Sequence, residues 1–381
     1  MMFDVLILGG GASGLTAAIE ASGRGKSAVI LEKNPRVGKK LLQTGNGRCN
    51  LSHAPLLTEN NYFGDILLAD HALNNTDLPA FFESIGIITT ADESGRVYPH
   101  SGTAASVLDA LRLECRRLGV TEQTEFKCVA LEKSDDVFTA ISANNERVSA
   151  RNAVVATGSP ASADDVLLKQ LTARFGHAPV PFAPALCPLI TDERLVRSLK
   201  GLRVSANCKL ISGERVVAEE RGEVQFGENY LSGICVMNLS CFVNHGENFS
   251  LSLDLAPDFT EKDLVLYLRR TFEKRKAAAN EDKLTGILQK RLALLIDISS
   301  PHITAKHIKD FRFPVMKKAE LSKAQTAVGG IRADEVDDRF QSVKTHGLFF
   351  CGESLNVFGR CGGYNLAFAF ASGIKVGKNI V

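Results

Sequence analysis

The chain has 381 residues, 45% of them hydrophobic and 23% charged, with a formal net charge of +2. This is the composition of a folded globular protein of two or three domains, and it gives no overall electrostatic case for nucleic acid or an anionic membrane as partner. No apolar run approaches the roughly 18 residues a membrane span needs, and nine cysteines without regular spacing argue against a disulfide framework and for a reducing cytoplasm.

The start, Met1-Met2-Phe3-Asp4, lacks a basic region and a cleavage site, so no signal peptide is expected. Phe3 to Leu8 is a short apolar run of the kind that forms a buried parallel strand. It ends at Gly9-Gly10-Gly11-Ala12-Ser13-Gly14, which fits GxGxxG with glycines at 9, 11 and 14. A helical stretch from Leu15 to Arg24 follows, then a second strand from Ser27 to Leu31, closed by Glu32. Gly9 permits the tight turn, Gly11 lets a pyrophosphate approach the backbone, and Gly14 lets helix and strand pack closely. The helix N-terminus offers N–H groups to phosphate, and Glu32 can accept from ribose hydroxyls. This unit predicts a dinucleotide site without deciding between FAD and NAD.

Gly38 to Asn50 (GKKLLQTGNGRCN) comes next; its glycines imply a backbone held close to a ligand. Lys39, Lys40 and Arg48 can face phosphate or an electron-rich ring; a solvated basic loop is the plainer alternative. Cys49 beside Arg48 is expected either to have a lowered thiol pKa or to pack against the cofactor. Phe126 to Leu131 and Val137 to Ala143 read as short strands of a crossover meander, with Val129 a backbone candidate at an adenine. Ala153 to Gly158 (AVVATG) is a strand whose small terminal residues Ala156, Thr157 and Gly158 let the chain pass beside a cofactor.

Pro179, Pro181, Pro184 and Pro188 can continue neither a helix nor a central strand, and mark a crossover into another domain. Leu199 to Leu255 reads as short strands, among them Cys208 to Ile211 and Val216 to Glu220 around Ser212-Gly213. From Thr260 to Lys309 the spacing of Leu264, Tyr267, Leu268 and Phe272 predicts helix, ended by Phe313-Pro314. The surplus of Lys and Arg on that segment suits an ordinary solvated face, or an anion- or RNA-facing surface. The chain returns to the first domain by Ala324 to Ile331. Gly347 to Glu353 is then a strand ending in Gly-Glu, followed by Cys361-Gly362-Gly363-Tyr364-Asn365 and a small-residue helix from Ala367 to Gly377. A carboxylate after a strand-terminal glycine can bind ribityl hydroxyls, and a helix N-terminus at Gly362 to Asn365 can stabilise negative charge on a reduced flavin. An NAD dehydrogenase has no need of a C-terminal strand returning to one site, so FAD is the expected cofactor.

Taken together, GGGASG at 9–14, GKKLLQTGNGRCN at 38–50, GRVYPHSGTAASV at 95–107, AVVATG at 153–158, LSGICVMNLS at 231–240, TAVGGI at 326–331 and GLFFCGESLNVFGRCGGYNLAFAFASG at 347–373 resemble one family across the whole chain. It is the BaiN-like flavoproteins, also described as aminoacetone-oxidase-type FAD enzymes, a branch of the glutathione-reductase-like FAD fold. Two departures lie toward the expected substrate side. Ser159 to Asp165 replaces a longer glycine-rich stretch, and the family's LSGP reads Leu231-Ser232-Gly233-Ile234 after an altered Gln225 to Tyr230.

The expected fold is α/β: a Rossmann-type FAD-binding domain at 1–178 and 317–381, with an inserted β-rich substrate domain at 179–258 and a helical subdomain at 259–316. The expected cofactor residues are Gly9, Gly11, Ala12, Ser13, Gly14, Glu32, Lys33, Lys40, Gly45, Asn46, Arg48, Cys49, Asn50, Val129, Ala156, Thr157, Gly158, Gly352, Glu353, Gly362, Gly363, Tyr364 and Asn365. No metal site is expected, and the absence of CxxC argues against a dithiol relay. Without a second GxGxxG unit, NAD(P)H is at most a transient reductant. The expected function is an FAD-dependent oxidoreductase acting on a small organic substrate, as the resemblance implies an amine oxidase. The alternatives are an NAD(P)H-dependent reductase of an unsaturated carbonyl or a nucleobase such as uridine in ribosomal RNA, and a non-catalytic redox sensor. The sequence marks no catalytic acid or base; Tyr98, His100, Tyr230 and His245 are the polar candidates outside the motifs.

Overall fold

A computed structural model describes residues 2–57, 61–74, 76–159, 166–244 and 246–381. The chain divides into two compact units, Met1–Ala183 with Thr326–Val381, and Pro184–Gln325. His245 and the Pro160 to Asp165 part of the departure after AVVATG lie outside the described residues. Among the described residues, no helix is long and apolar enough to cross a membrane.

The first unit is built on strand β1 (Met2–Leu8), helix α1 (Ala12–Gly23) and strand β2 (Ala28–Leu31), as the apolar runs and the glycine turn dictate. The helix starts earlier than its apolar spacing suggests, because Ala12, Ser13 and Gly14 already form its first turn. Strand β3 (Arg147–Val155) lies parallel to β1, and β4 (Leu348–Phe350) lies parallel to the end of β3. A further parallel strand, Thr121–Gln123, borders β2. The first half of β3 pairs instead with the antiparallel strand Val137–Ser142, which carries Cys128–Ser134 on its other side. This is the expected meander, and Val129 is the residue at its bulge. Helix α2 (Tyr364–Asn379) covers the sheet beside α1. The core between them is aliphatic and aromatic, with Leu6, Ile7, Leu15, Val154, Phe349 and Phe370 fully buried.

Register decides where a ligand can bind. Leu8 pairs with Leu31 on one side and Val155 on the other, and Val155 pairs with Phe350. Four strands therefore end level, and the segments that follow them emerge along one edge. Parallel α/β sheets bind ligands outside such carboxyl ends.

The second unit is an antiparallel sheet in the order 311–315, 249–254, 203–212, 215–226, 230–232, 189–190 and 317–318. Its central hairpin joins Arg203–Ser212 to Arg215–Phe226, around the expected Ser212-Gly213 turn. Helices pack on this sheet in one shared core that holds Leu210, Leu251, Leu268, Ile308 and Phe313. Residues 184–325 thus form one unit, where composition suggests a β-rich piece and a helical piece. The helical stretch is itself broken. Thr260 and Asp263 form a capping box that starts Glu261–Lys274, but the chain then turns at Arg275, whose guanidinium donates to the carbonyls of Asp282 and Thr285. Single helical turns follow at Asn280–Lys283 and Lys290–Ala293, and a longer helix comes only at Pro301–Lys309. Phe313-Pro314 does not end that helix: it lies within the edge strand Phe311–Val315. There Pro314 is tolerated, because an edge strand can spare a donor.

Candidate functional site

The turn after β1 is dictated by close approach. Gly9 has φ +107, and a Cβ on it would lie 2.4 Å from the carbonyl oxygen of Ala156, just past β3. A Cβ on Gly14 would lie 2.0 Å from the Gly9 oxygen. Gly11 differs from both: nothing lies within 4 Å of its Cβ position, and no side chain caps the helix that it opens. The first-turn N–H groups of Ala12, Ser13 and Gly14 precede the first i→i−4 bond, made by Leu15 to Gly11. Such a terminus, with room in front of it, suits a phosphate.

Glu32, 8% exposed, accepts from the Gly10 N–H at 2.9 Å through Oε2, and from the Asn34 N–H and Nδ2 at 2.9 and 2.6 Å through Oε1. A carboxylate offers about four acceptor sites, so roughly one is left for a ribose hydroxyl. Glu32 therefore also braces the glycine turn, a role its position in the motif does not disclose. Lys33 beside it is exposed.

Glu353 follows β4 at the same edge. Lys40 pairs with its Oε2, Ser159 Oγ donates to that oxygen at 3.1 Å, and Thr326 Oγ1 donates to Oε1 at 2.8 Å. Burial pushes the carboxyl pKa up, but the charge of Lys40 and the hydrogen bonds from Lys40, Thr326 and Ser159 outweigh it and hold the group below its ordinary value. Lys40 and Glu353, both expected at the cofactor, are thus brought together as an ion pair. Ser159 and Thr326 were missed; the TAVGGI segment was the available signal for Thr326. The Gly352 N–H donates to Ser372 Oγ of α2, and the Cys351 thiol bonds Ser13 of α1. A Cβ on Gly373 of α2 would meet the Ser13 carbonyl oxygen at 2.4 Å, so the two helices run with their backbones nearly touching.

The segment 38–50 folds over this edge. Gly45 and Asn46 make an exposed left-handed turn (φ +57 and +54). Arg48 is exposed and lies over the Tyr98 ring, 4.3 Å from its centroid. Cys49 is fully buried, and burial pushes its thiol up to about 11. The expected lowering by Arg48 is overturned, because the guanidinium sits on Tyr98 and the sulfur sits in the core. Packing is the role of Cys49.

The C-terminal turn also differs in its reasons. Gly363 (φ +105) caps α2, and a Cβ there would lie 2.2 Å from the Ser52 carbonyl oxygen and 2.7 Å from Asn50 Oδ1. The glycine is required by protein packing, whatever ligand lies nearby. Tyr364 is buried, stacked on His53 at 4.6 Å and edge-on to Tyr62, whose hydroxyl donates to the Tyr364 carbonyl. The Asn365 side chain clamps the preceding turn, accepting from the Gly359 N–H at 2.8 Å and donating to the Gly359 carbonyl at 2.7 Å. What this turn can present to a ligand is the backbone at the start of α2. Gly362 precedes it at φ +128. Val129, at the meander bulge, is 41% exposed. Of the polar candidates, Tyr98 lies under Arg48, His100 is exposed, and Tyr230 packs over Gly227 in the second unit.

The residues at the edge fit a dinucleotide such as FAD. Besides the open space at Gly11, four buried polar atoms lack a partner among the described residues: Thr191 Oγ1 in the second unit, and, on the segments that follow these strands, Asn50 Oδ1, Thr157 Oγ1 and Asn356 Oδ1. Thr157 follows β3 directly, Asn356 follows the Gly352–Ser354 turn, and Asn50 sits against Gly363. Buried polar atoms are nearly always hydrogen-bonded, so these three atoms have bonding capacity that a ligand at this edge can take up. Asn356 was not anticipated; only its place in the GESLNVFG run hinted at it. Among the described residues no group of His, Cys, Asp and Glu is gathered as a metal site.

Known proteins bear on this geometry. The model of the HI0933-like protein Rossmann domain matches residues 3–379. A 3-dehydro-bile acid delta(4,6)-reductase of Clostridium scindens is 32% identical over 98% of this chain and 97% of its own. A ribosomal RNA dihydrouridine synthase of Escherichia coli is 25% identical over 100% of this chain and 98% of its own. Among solved structures, a 3-ketosteroid-delta4-(5alpha)-dehydrogenase of Rhodococcus jostii RHA1 shares the fold, with a TM-score of 0.51 at 13% identity over 100% of this chain and 96% of that one.

Proposed function

Because the chain belongs to the HI0933-like family of FAD-dependent oxidoreductases, we propose that it is a reductase, using NAD(P)H to saturate a carbon–carbon double bond conjugated to a carbonyl in a small organic substrate. The observation that carries the direction is similarity over nearly the full length of both chains to a relative named as a reductase of a dehydro-bile acid. A second relative, named for making dihydrouridine, performs the same kind of hydrogen addition. We place FAD along the level strand ends, with its pyrophosphate at Gly11 and the first turn of α1. Glu32 takes the ribose. The Lys40–Glu353 pair and the start of α2 take the riboflavin half.

When bound, FAD supplies hydride transfer at its N5 position. The protein's own contribution is electrostatic and positional. The α1 terminus offsets phosphate charge, and the start of α2, where no side chain bonds the free N–H groups, favours negative charge placed against it. Thr326, Ser159 and Lys40 keep Glu353 ionised, so that it acts as an acceptor for hydroxyls at any pH near neutral. Free thiols at every described cysteine support a cytoplasmic setting.

Anaerobic mixing tests this. NADH or NADPH should bleach the flavin, and an enone should restore its colour with consumption of one nicotinamide per double bond. Bleaching by a primary amine with peroxide release on admitting air, and none by NAD(P)H, would instead establish the amine oxidase. No bleaching by any of them would leave a non-catalytic sensor.

A further inference from the structure

Cys208 and Cys235 are far apart in the chain and form no sequence motif, yet their sulfurs lie 3.7 Å apart inside the second unit. Cys208 sits in the strand Arg203–Ser212, and Cys235 in the helix Ile234–Ser240 that packs on the neighbouring strand Arg215–Phe226. We propose that these two residues are a peroxide-responsive thiol pair that closes reversibly to an intrachain disulfide. A disulfide has its sulfurs about 2.0 Å apart, so closing the bridge takes an approach of roughly 1.7 Å.

Two further observations support the pair. The first is access. Both cysteines are buried, but Gly222, half-exposed on the strand Arg215–Phe226, borders Cys235. The nearest heavy atoms to a Cβ on Gly222 are all from Cys235, its Cβ at 3.4 Å and its sulfur at 3.7 Å. Cys235 is 1% exposed, so an oxidant reaches it when the strand Arg215–Phe226 opens locally; glycine at 222 leaves that cover one side chain thinner against the sulfur, and hydrogen peroxide is close to water in size. The second is reactivity. The Cys208 S–H contact holds the Cys235 thiol below its ordinary range, and the same contact with burial pushes Cys208 up. Burial pushes Cys49, Cys115, Cys128, Cys187, Cys241 and Cys351 up as well. Thiolate is the nucleophile, and the thin cover at Gly222 lies against Cys235, so Cys235 is the thiol an oxidant meets first.

The chemistry balances in two steps. Cys235 thiolate attacks one peroxide oxygen, the O–O bond breaks, and the departing hydroxide takes up the thiol proton as water, leaving a sulfenic acid. The sulfur of Cys208 then attacks the Cys235 sulfur, the S–S bond forms, and the S–OH oxygen leaves as a second water with the Cys208 proton. Peroxide is reduced by two electrons and the two thiols are oxidised by the same two. This pair lies wholly in the second unit and does not depend on the reductase assignment.

The test uses the reduced, FAD-containing protein, treated with hydrogen peroxide in small steps, denatured in alkylating agent and digested. Peptides carrying Cys208 and Cys235 should be joined, with the other cysteines alkylated, and dithiothreitol should reverse the joining. Cys208→Ser should accumulate a dimedone-reactive sulfenic acid at Cys235, whereas Cys235→Ser should show none at Cys208. Gly222→Ala, whose Cβ fits at ordinary contact distance, should slow the oxidation several-fold in the folded protein and not at all in denaturant. A bridge between Cys187 and Cys241 instead, alkylation of both cysteines at every dose, or wild-type speed in folded Gly222→Ala would overturn the proposal.

Discussion

Replacing Lys40 with Met removes the cation that pairs with the Glu353 carboxylate, and the sign of the resulting pH dependence is calculable. Losing one partner of a fully buried pair costs about 3–5 kcal/mol, and of an exposed pair about 0–1 kcal/mol. The Lys40 side chain is 40% exposed and that of Glu353 16%, so after discounting for solvent the expected loss near neutral pH is about 1–2 kcal/mol. In the wild type, the Glu353 pKa is held below its ordinary 4.5. Its contribution is therefore present above that pH and fades as pH falls through the folded value. In Lys40→Met, burial is opposed only by the hydroxyls of Thr326 and Ser159, and the folded pKa should rise past the unfolded one. The sign then reverses: ionising the buried carboxylate destabilises the variant as pH rises. One proton gives a slope of at most about 1.4 kcal/mol per pH unit. Urea unfolding of both FAD-free proteins between about pH 4 and 7 isolates this group, because other titrations cancel in the difference. The stability gap should be widest near neutral and close toward acid. A gap that is absent, or constant with pH, would refute the account of Glu353.

The glycines of the first turn should separate packing from ligand space. Gly11→Val should keep FAD-free stability and lose FAD affinity, while Gly14→Ala, with its Cβ driven onto the Gly9 oxygen, should lose about 1–3 kcal/mol of stability; titration and urea melts read both, and equal behaviour would sink the distinction. Glu32→Ala should cost about 2–4 kcal/mol in the FAD-free protein by orphaning the Gly10 and Asn34 donors, and weaken FAD about ten- to a hundredfold. Unchanged values would remove Glu32 from both roles. Burial holds the His177 pKa below its ordinary 6.5, against the pull of Glu335. The unfolded chain therefore binds that proton first, and stability should fall as pH drops below about 6.5; His177→Gln should lack this part of the slope, and an identical slope would show that His177 does not titrate.

The features legible in the chain itself are those set by short-range physics. Apolar runs at 3–8 and 28–31, a glycine turn that only close backbone packing requires, and an acidic residue closing the second strand specify a βαβ unit, because each depends on neighbours within a few residues. The Gly352-Glu353 strand end and the glycine-opened helix after it were legible for the same reason. Tertiary structure decided who meets whom. Glu353 is held ionised by Lys40, Ser159 and Thr326, which lie 313, 194 and 27 residues away, distances over which no periodicity speaks. Gly363 answers to Ser52, Asn365 is used up on its own turn, and Cys49 faces the core while Arg48 faces Tyr98. The helices of 261–309 share one core with the strands around them. Cys208 comes against Cys235 only because the hairpin and the short helix pack face to face. Local sequence sets which conformations are cheap; burial and long-range contact set which side chains end as partners.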